Sequence, residues 1–234
     1  MSPLLDVRAI NTYIGQFHIL EGVTFDVPEG EIVALLGRNG AGKTTTLKSI
    51  LGLTPPRTGD VIFEGTDLRG LHSFDVASKG IGYVPENRAI FGALSVEENL
   101  RIAERSKGDL DRKSDLIFGL FPDLKRLIDL PGTNLSGGQQ QMLAVARALV
   151  PDNRLLLIDE PSEGLAPVLI EQMMDAIIQL SDETTVLIVE QNFIVASRLA
   201  QRYVIIEEGA SVASGDMEDL VNDEATIRKY LGAA

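Results

Sequence analysis

The sequence of 234 residues contains no cysteine and no tryptophan, and it has only two histidines. The lack of cysteine excludes a disulfide framework and a thiolate metal site, and it fits a reducing compartment. No apolar run approaches the roughly 18 residues that are needed to cross a bilayer. The first residues also lack the basic and long apolar regions of a signal peptide, so we expect a cytoplasmic protein.

Positive charge is scarce, because 21 lysines and arginines stand against 34 aspartates and glutamates, which leaves a net charge of −13. This excess argues against an obligatory nucleic-acid surface and against a general attraction to anionic lipid heads. We therefore expect no nucleic-acid partner, and we expect any membrane association to go through another protein. The hydrophobic content of 44% is ample for a core.

Strand-like apolar runs alternate with segments of helical periodicity along most of the chain. We predict strands over residues 4–14, 20–27, 31–36, 58–63, 81–84, 155–158, 184–189, 203–206 and 211–213, and helices over 43–53, 73–78, 139–150, 168–180 and 193–200. This alternation predicts an α/β fold whose sheet is mostly parallel and covered on both faces. Helical periodicity with charged faces, and a capping box of Ser95 with Glu98, predict an inserted helical subdomain over approximately 90–135.

A glycine-rich segment follows the third predicted strand and fits the pattern G-x-x-x-x-G-K-[ST]. It reads Gly37-Arg38-Asn39-Gly40-Ala41-Gly42-Lys43-Thr44. Backbone N–H groups of such a turn point inward at a phosphate chain, and the helix that begins at Lys43 adds the positive end of its dipole. We expect Lys43 to reach the β- and γ-phosphates, Thr44 to bind Mg²⁺ and Thr45 to donate to a phosphate oxygen. A chance glycine turn is the alternative, and it does not account for the motifs downstream.

Two acids, Asp159 and Glu160, close the apolar run at 155–158. Because the apolar residues bury the strand, both acids emerge at its C-terminal end, beside the glycine-rich turn. An acid positioned next to an attacking water is the chemistry that hydrolysis of a nucleotide needs. The alternative is a solvated acidic strand end, which is a weak explanation beside a phosphate site.

A second glycine motif, LSGGQ, spans Leu135, Ser136, Gly137, Gly138 and Gln139 about twenty residues before that strand. Ser136 is a good N-cap residue, and the glycines expose backbone N–H groups before a helix, which predicts a second anion site. On its own, Ser-Gly-Gly would more often be an ordinary helix cap. With the two motifs above, however, LSGGQ resembles the signature of the ATP-binding cassette (ABC) superfamily.

The resemblance implies an ATPase with a P-loop NTPase core, a mostly parallel central sheet, an antiparallel β subdomain and an inserted α-helical subdomain, all in one domain over 1–234. It assigns Asp159 to Mg²⁺, usually through water, and Glu160 to the water that attacks the γ-phosphate of ATP. It also implies a head-to-tail dimer, in which the signature of one subunit closes over the ATP on the P-loop of the other.

Three more site residues follow from the resemblance. Tyr13 stands where the family places an aromatic residue that stacks on adenine, although a tyrosine at a strand end is usually packing. Glu86 replaces the usual glutamine of the Q-loop and can still offer an oxygen to Mg²⁺ or to a water. Gln191 replaces the usual switch histidine, so it can donate to the γ-phosphate but cannot take up a proton near neutral pH. We expect His18 and His72 in surface loops.

Three segments depart from the commoner pattern of the family, and they narrow the resemblance to the LivF-type ATPase of branched-chain amino acid importers. They are Pro85-Glu86, the run Pro161-Ser162 followed by Gly164-Leu165-Ala166-Pro167, and Glu190-Gln191-Asn192. Such a subunit pairs with a LivG-type ATPase or with itself, docks beneath two membrane permeases on the inner face of the cell membrane, and works with a periplasmic or extracellular binding protein. Related importers of urea, short amides or aromatic acids carry similar subunits, so the cargo stays open.

Two other functions, a soluble ABC ATPase and a small-molecule kinase, fit the sequence less well. A soluble ABC ATPase of DNA repair, translation or chromosome structure usually has a long coiled coil or a second cassette. Here only about fifty residues separate Glu86 from Ser136, without sustained heptads, and one cassette is present. A small-molecule kinase would leave LSGGQ unexplained. The sequence therefore favours a transporter ATPase.

Overall fold

Two β-sheets form the framework of the computed structural model, which describes residues 2–232; residues 1, 233 and 234 of the predicted domain lie outside the described residues. The first sheet is antiparallel and is built from four strands. These strands are β1 (Leu5–Ile14), β2 (Phe17–Val27), β4 (Thr58–Phe63) and β5 (Thr66–Asp67), in the spatial order β2-β1-β4-β5. This sheet is the antiparallel β subdomain that the resemblance implies.

The second sheet has six strands, of which five are parallel. They are β3 (Ile32–Leu36), β6 (Ile81–Val84), β7 (Leu155–Asp159), β8 (Thr185–Glu190), β9 (Arg202–Glu207) and the antiparallel edge strand β10 (Ala210–Asp216), in the order β10-β9-β3-β8-β7-β6. Strands β3, β7 and β8 are buried along their whole length, as expected for strands covered on both faces. Their carboxyl ends meet at one edge of the sheet, where the candidate site lies.

Helices cover the parallel sheet and form the inserted subdomain. They are α1 (Lys43–Ile50), α2 (Ser73–Ser78), α3 (Val96–Arg101), α4 (Asp109–Leu120), α5 (Pro122–Arg126), α6 (Gly137–Leu149), α7 (Pro167–Ser181), α8 (Phe193–Leu199), α9 (Met217–Val221) and α10 (Glu224–Thr226), which continues as a π-helical turn over Ile227–Leu231. The predicted helical subdomain over approximately 90–135 contains α3 to α5. Within residues 2–232, no helix combines the length and the apolar character that a bilayer span requires.

The core has two parts, one on each face of the parallel sheet. Alternate residues of β3 enter different parts, because successive side chains of a strand point to opposite faces. Ile32, Ala34 and Leu36 pack in the part of the core that contains residues of helices α3 to α9. Val33 and Leu35 pack in the part that contains residues of α1 and the antiparallel sheet. The predicted α/β class and the doubly covered sheet are therefore confirmed.

Several predicted bounds differ from the structure by one to three residues, and the local cause is clear for two of them. Strand β2 begins at Phe17 rather than at residue 20, because a tight turn at Gly15 (φ 61°) pairs Ile14 with Phe17. His18 consequently lies in a strand and not in a loop. Helix α1 ends at Ile50 instead of residue 53, since Gly52 takes a left-handed conformation (φ 70°) that stops the helix.

Candidate functional site

The glycine-rich segment lies between β3 and α1, at the carboxyl edge of the parallel sheet. Gly37 and Gly42 have left-handed backbones, and neither position has room for a side chain. A Cβ on Gly37 would lie 2.2 Å from the carbonyl oxygen of Ile206, and one on Gly42 would lie 2.7 Å from the Leu20 side chain. The segment borders a cavity of about 410 Å³. This cavity is lined by Ile14, Ile19, Asn39, Gly40, Gly42, Lys43, Thr44, Thr45, Glu86, Glu160 and Glu163.

Lys43, at the start of α1, is the buried cation of this cavity and is only 4% exposed. Its Nζ donates to the carbonyl oxygens of Gly37 (3.0 Å) and Arg38 (3.2 Å). The same atom lies 3.1 Å from Glu160 Oε1. A phosphate at the glycine-rich turn therefore competes with carbonyls and one carboxylate for an ammonium group that already faces it.

Asp159 ends β7, and Glu160 follows it next to that lysine. Thr44 Oγ1 donates to Asp159 Oδ1 at 3.1 Å, and the Tyr83 hydroxyl donates to Oδ2 at 3.3 Å. Asp159 is fully buried, and this burial raises its pKa to about 6; the charges of Glu160 and Glu86 act in the same direction. Glu160 has a left-handed backbone (φ 45°), which is uncommon outside glycine and frequent at functional sites.

The residues at this edge fit a magnesium ion better than a metal held by protein alone. Within residues 2–232 there is no cluster of three or more His, Cys, Asp or Glu side chains able to enclose a metal. Mg²⁺ usually takes one or two protein ligands and completes its shell with waters and substrate phosphates. The adjacent Thr44 hydroxyl and Asp159 carboxylate offer such a partial set, and Glu86 lines the same cavity.

A second cavity, of about 380 Å³, adjoins the first and shares Glu160 and Glu163 with it. Its other lining residues are Ser162, Glu190, Gln191 and Asn192. The predicted switch residue Gln191 is exposed here, next to Glu160 but outside the wall of the first cavity.

The LSGGQ segment caps the start of α6 as expected. Ser136 Oγ accepts from the N–H of Gln139 (3.3 Å), and the Ser136 N–H donates to Gln139 Oε1 (2.9 Å), which forms a capping box. Ser136 and Gly137 are exposed, whereas Gly138 packs so closely on α7 that a Cβ would lie 2.2 Å from Leu169. None of the residues 136–139 lines the cavity of the glycine-rich turn. The two predicted anion faces of one chain, at residues 37–45 and 136–139, are therefore separate.

The segment after Glu86 is tied to the LSGGQ helix by two arginines that sequence reasoning missed. Arg88 Nε donates to Gln141 Oε1 at 3.3 Å, and Arg147 Nη1 donates to the carbonyl oxygen of Ala89 at 2.6 Å. The Arg147 guanidinium also lies 4.9 Å from the centre of the Phe91 ring. No sequence motif marks these contacts, because they join residues more than fifty positions apart.

The structure does not place Tyr13, the residue expected to stack on adenine, in the wall of the first cavity. Its ring stacks on His18 (centroids 4.2 Å apart, planes at 2°), and the Arg57 guanidinium lies 4.1 Å from its centre. With both groups so near, the ring has little open face for a base, and it is absent from the wall of the cavity. Ile14 and Ile19 form the apolar wall instead.

Comparisons with known proteins agree with this geometry. The sequence matches the family described as ABC transporter over residues 20–163. It is 40% identical to the high-affinity branched-chain amino acid transport ATP-binding protein BraG of Pseudomonas aeruginosa, over 98% of this chain and 100% of that protein. It is 35% identical to the probable branched-chain amino acid transport ATP-binding protein LivF of Archaeoglobus fulgidus, over 98% and 99%. The lipopolysaccharide export system ATP-binding protein LptB of Escherichia coli is 34% identical over 99% and 98%.

Solved structures show the same fold. A structure of the ATP binding subunit of an ABC transporter superposes with a TM-score of 0.82 at 29% identity, and covers 99% of this chain and 95% of that one. A nucleotide-free ATP-binding cassette from an ABC transporter superposes with a TM-score of 0.86 over the full length of both chains, at 23% identity.

Proposed function

The chain belongs to the ABC transporter family, and on that premise we propose that it hydrolyses ATP to drive an importer of branched-chain amino acids. The expected resemblance to LivF-type ATPases is confirmed, and so is the expectation of an ATPase coupled to transport. The coarse function is thus an ATP-binding subunit of a transporter. The direction of transport, the cargo and the roles of single residues are the proposal.

The observation that carries the catalytic part is the convergence of Lys43, Thr44 and Glu160 on one cavity, with Asp159 bonded to Thr44. ATP is placed with its phosphates on residues 37–45, where backbone N–H groups and Lys43 hold the anionic oxygens. When bound, Mg²⁺ supplies positive charge that offsets the charge of the β- and γ-phosphates, and Thr44, Asp159 and Glu86 would hold it.

Glu160 orients the attacking water and accepts its proton. The water oxygen bonds to the γ-phosphorus while the bond from that phosphorus to the β,γ-bridging oxygen breaks, which yields ADP and phosphate. Lys43 leaves its ion pair with Glu160 for the phosphate oxygens, so the carboxylate becomes free to act as a base. Gln191, which lines the adjoining cavity beside Glu160, donates its amide to the γ-phosphate.

Two cassettes complete the site. ABC ATP-binding subunits dimerise and pair with membrane permeases. We place the exposed Ser136 and Gly137, at the start of α6, over the ATP on the other subunit, which is either a second copy or a LivG-type homologue. Closure passes through the Glu86 segment, which Arg88 and Arg147 tie to α6, to two permeases. The chain then sits on the inner face of the cell membrane, and a periplasmic or extracellular binding protein delivers the cargo.

The cargo assignment rests on BraG, which is 40% identical to this chain, whereas LivF is 35% and LptB 34% identical. A subunit of an exporter is the second candidate, because LptB matches at 34% over nearly the whole chain. Importers of urea, short amides or aromatic acids are further alternatives. No residue of an ATPase subunit contacts the cargo, so only transport distinguishes these candidates.

Uptake of labelled leucine, with labelled urea for comparison, tests the cargo in cells that lack this chain. Complementation uses the wild type, Glu160→Gln and the matched exposed substitution Glu171→Gln. We expect leucine uptake to be restored by the wild type and by Glu171→Gln, but not by Glu160→Gln. If leucine uptake is normal without the chain, the branched-chain amino acid assignment is wrong.

A further inference from the structure

Glu190, the last residue of β8, is a buried acid to which the proposed chemistry assigns no role. Its side chain is only 1% exposed. Oε1 accepts from the N–H of Ser162 at 3.2 Å, and Oε2 accepts from the Ser162 hydroxyl at 3.0 Å and from the N–H of Asn192 at 3.4 Å. Both oxygens are therefore acceptors, and their three donors are the N–H and the hydroxyl of Ser162 and the N–H of Asn192.

A charge in this position is costly. Burial raises the pKa of Glu190 to about 7, and the nearby charge of Glu160 acts in the same direction, while the three donors oppose the shift. A buried carboxylate needs such donors, because an unpaired one loses its hydration without compensation. An amide or an apolar residue would fill the end of a strand without this cost.

The two groups that Glu190 joins belong to different functional segments. Ser162 lies two residues after Glu160, across a proline that restricts the backbone, and the N–H of Glu163 closes the same turn on the Glu160 carbonyl at 3.2 Å. Asn192 follows Gln191 and caps α8. The carboxylate is thus the shared acceptor of the turn after the catalytic acid and the segment that carries Gln191.

We propose that Glu190 is a positioning residue that locks the Glu160–Ser162 turn to the Gln191–Asn192 segment, so that both reach the γ-phosphate together. The proposal rests on the proposed function of Glu160. An ordinary structural acid at a strand end would stabilise the fold without linking the two segments. The distinguishing feature is that one carboxylate accepts hydrogen bonds from Ser162 and from the N–H of Asn192 at the same time.

The test is a double-mutant cycle on the full chain, with Glu190→Gln, Ser162→Ala and the double variant, and with Glu171→Gln as a control. Glu171 is also bonded in a pair, to Arg198, but at an exposed site. An amide at position 190 presents its NH₂ to either the Ser162 N–H or the Asn192 N–H, so at least one hydrogen bond is lost. Each variant is assayed for kcat, for KM of ATP and for its thermal midpoint.

We expect Glu190→Gln to lower kcat about ten-fold and Ser162→Ala about three-fold, with KM for ATP within about two-fold of the wild type. The double variant should fall no further than Glu190→Gln alone, because both changes break the same link. Glu171→Gln should leave kcat unchanged.

Two results overturn the proposal. One is an unchanged kcat in Glu190→Gln, and the other is a double variant whose loss equals the product of the single losses. If Glu190→Gln does not fold, Ser162→Ala alone decides, since it must lower kcat while KM and the thermal midpoint stay constant. Failure of the proposed function is distinguished by Glu160→Gln, whose full activity would reject the premise itself.

Discussion

The two anion faces of this chain are built in opposite ways. At the glycine-rich turn, Lys43 and Asp159 are buried and are bonded to Glu160 and Thr44 within the same chain. At the LSGGQ segment, Ser136 and Gly137 are exposed, and the capping contacts of Ser136 with Gln139 stabilise only the start of the helix. The first face is held by bonds within its own chain, whereas the second leaves Ser136 and Gly137 exposed. We infer from this difference that activity depends on a second cassette.

Removal of the catalytic acid gives the largest expected effect on the buried face. Glu160→Gln keeps the size of the side chain but cannot accept the proton of the attacking water, so kcat should fall about 100-fold or more. ATP binding should stay within a few-fold, since Lys43 and the glycine-rich turn remain. Steady-state hydrolysis and equilibrium binding of ATP measure the two quantities. A wild-type rate in this variant would remove Glu160 from the mechanism.

A charge at the exposed face should have the next largest effect. Ser136→Asp retains a good N-cap but repels a phosphate, so kcat should fall roughly 10- to 100-fold without a loss of thermal stability. The matched control is Ser95→Asp, because Ser95 forms the same capping box with Glu98 at the start of α3. Hydrolysis is measured for both. Equal rates in the two variants would mean that Ser136 only caps a helix.

The buried face also predicts a pH effect on stability in the absence of nucleotide and Mg²⁺. The raised pKa of Asp159 makes the folded chain hold a proton that the unfolded chain releases, so this residue lowers stability as pH rises from about 4 to about 6. Asp159→Asn removes the titration. Relative to the wild type, it should gain roughly 1 kcal/mol in the free energy of unfolding between about pH 5.5 and about pH 8.

Urea unfolding at the two pH values measures this difference. Asp67→Asn is the control, because the pKa of the exposed Asp67 is lowered by its hydrogen bond to Arg69, so its replacement should give no such gain. A difference between Asp159→Asn and the wild type that does not change with pH would show that Asp159 is already ionised at the lower pH.

The smallest expected effect concerns the base. An aliphatic wall of Ile14 and Ile19 distinguishes adenine from guanine weakly, so KM values for ATP and GTP should agree within about three-fold. Ile14→Tyr should lower KM for ATP a few-fold by adding a stacking surface, whereas Tyr13→Ala should leave KM within about two-fold. A large rise of KM in Tyr13→Ala would restore the adenine role of Tyr13.

Most of the fold and the centre of the site could be predicted from the sequence. The fully buried strands are continuous apolar runs, and the glycine-rich turn and the acids 159 and 160 stand directly after two of them. The sequence did not show that Ile14, rather than Tyr13, lines the cavity. The register of β1 against β2 shifts between Thr12 and Tyr13, so alternation along the strand does not tell which side chain faces the cavity. The contacts of Glu190 with Ser162 and of Arg147 with Ala89 depend on tertiary packing, which no local pattern records.

The most direct test of the central claim is the mass of the Glu160→Gln variant in solution with Mg²⁺ and ATP. Sedimentation is measured for this variant, for the same variant carrying Ser136→Asp, and for each after addition of the cassette that copurifies with the permeases. The account predicts an ATP-dependent species of twice the 25.3 kDa of one chain, or the corresponding mixed dimer, which Ser136→Asp abolishes. A chain that binds ATP yet remains at 25.3 kDa under both conditions would contradict it.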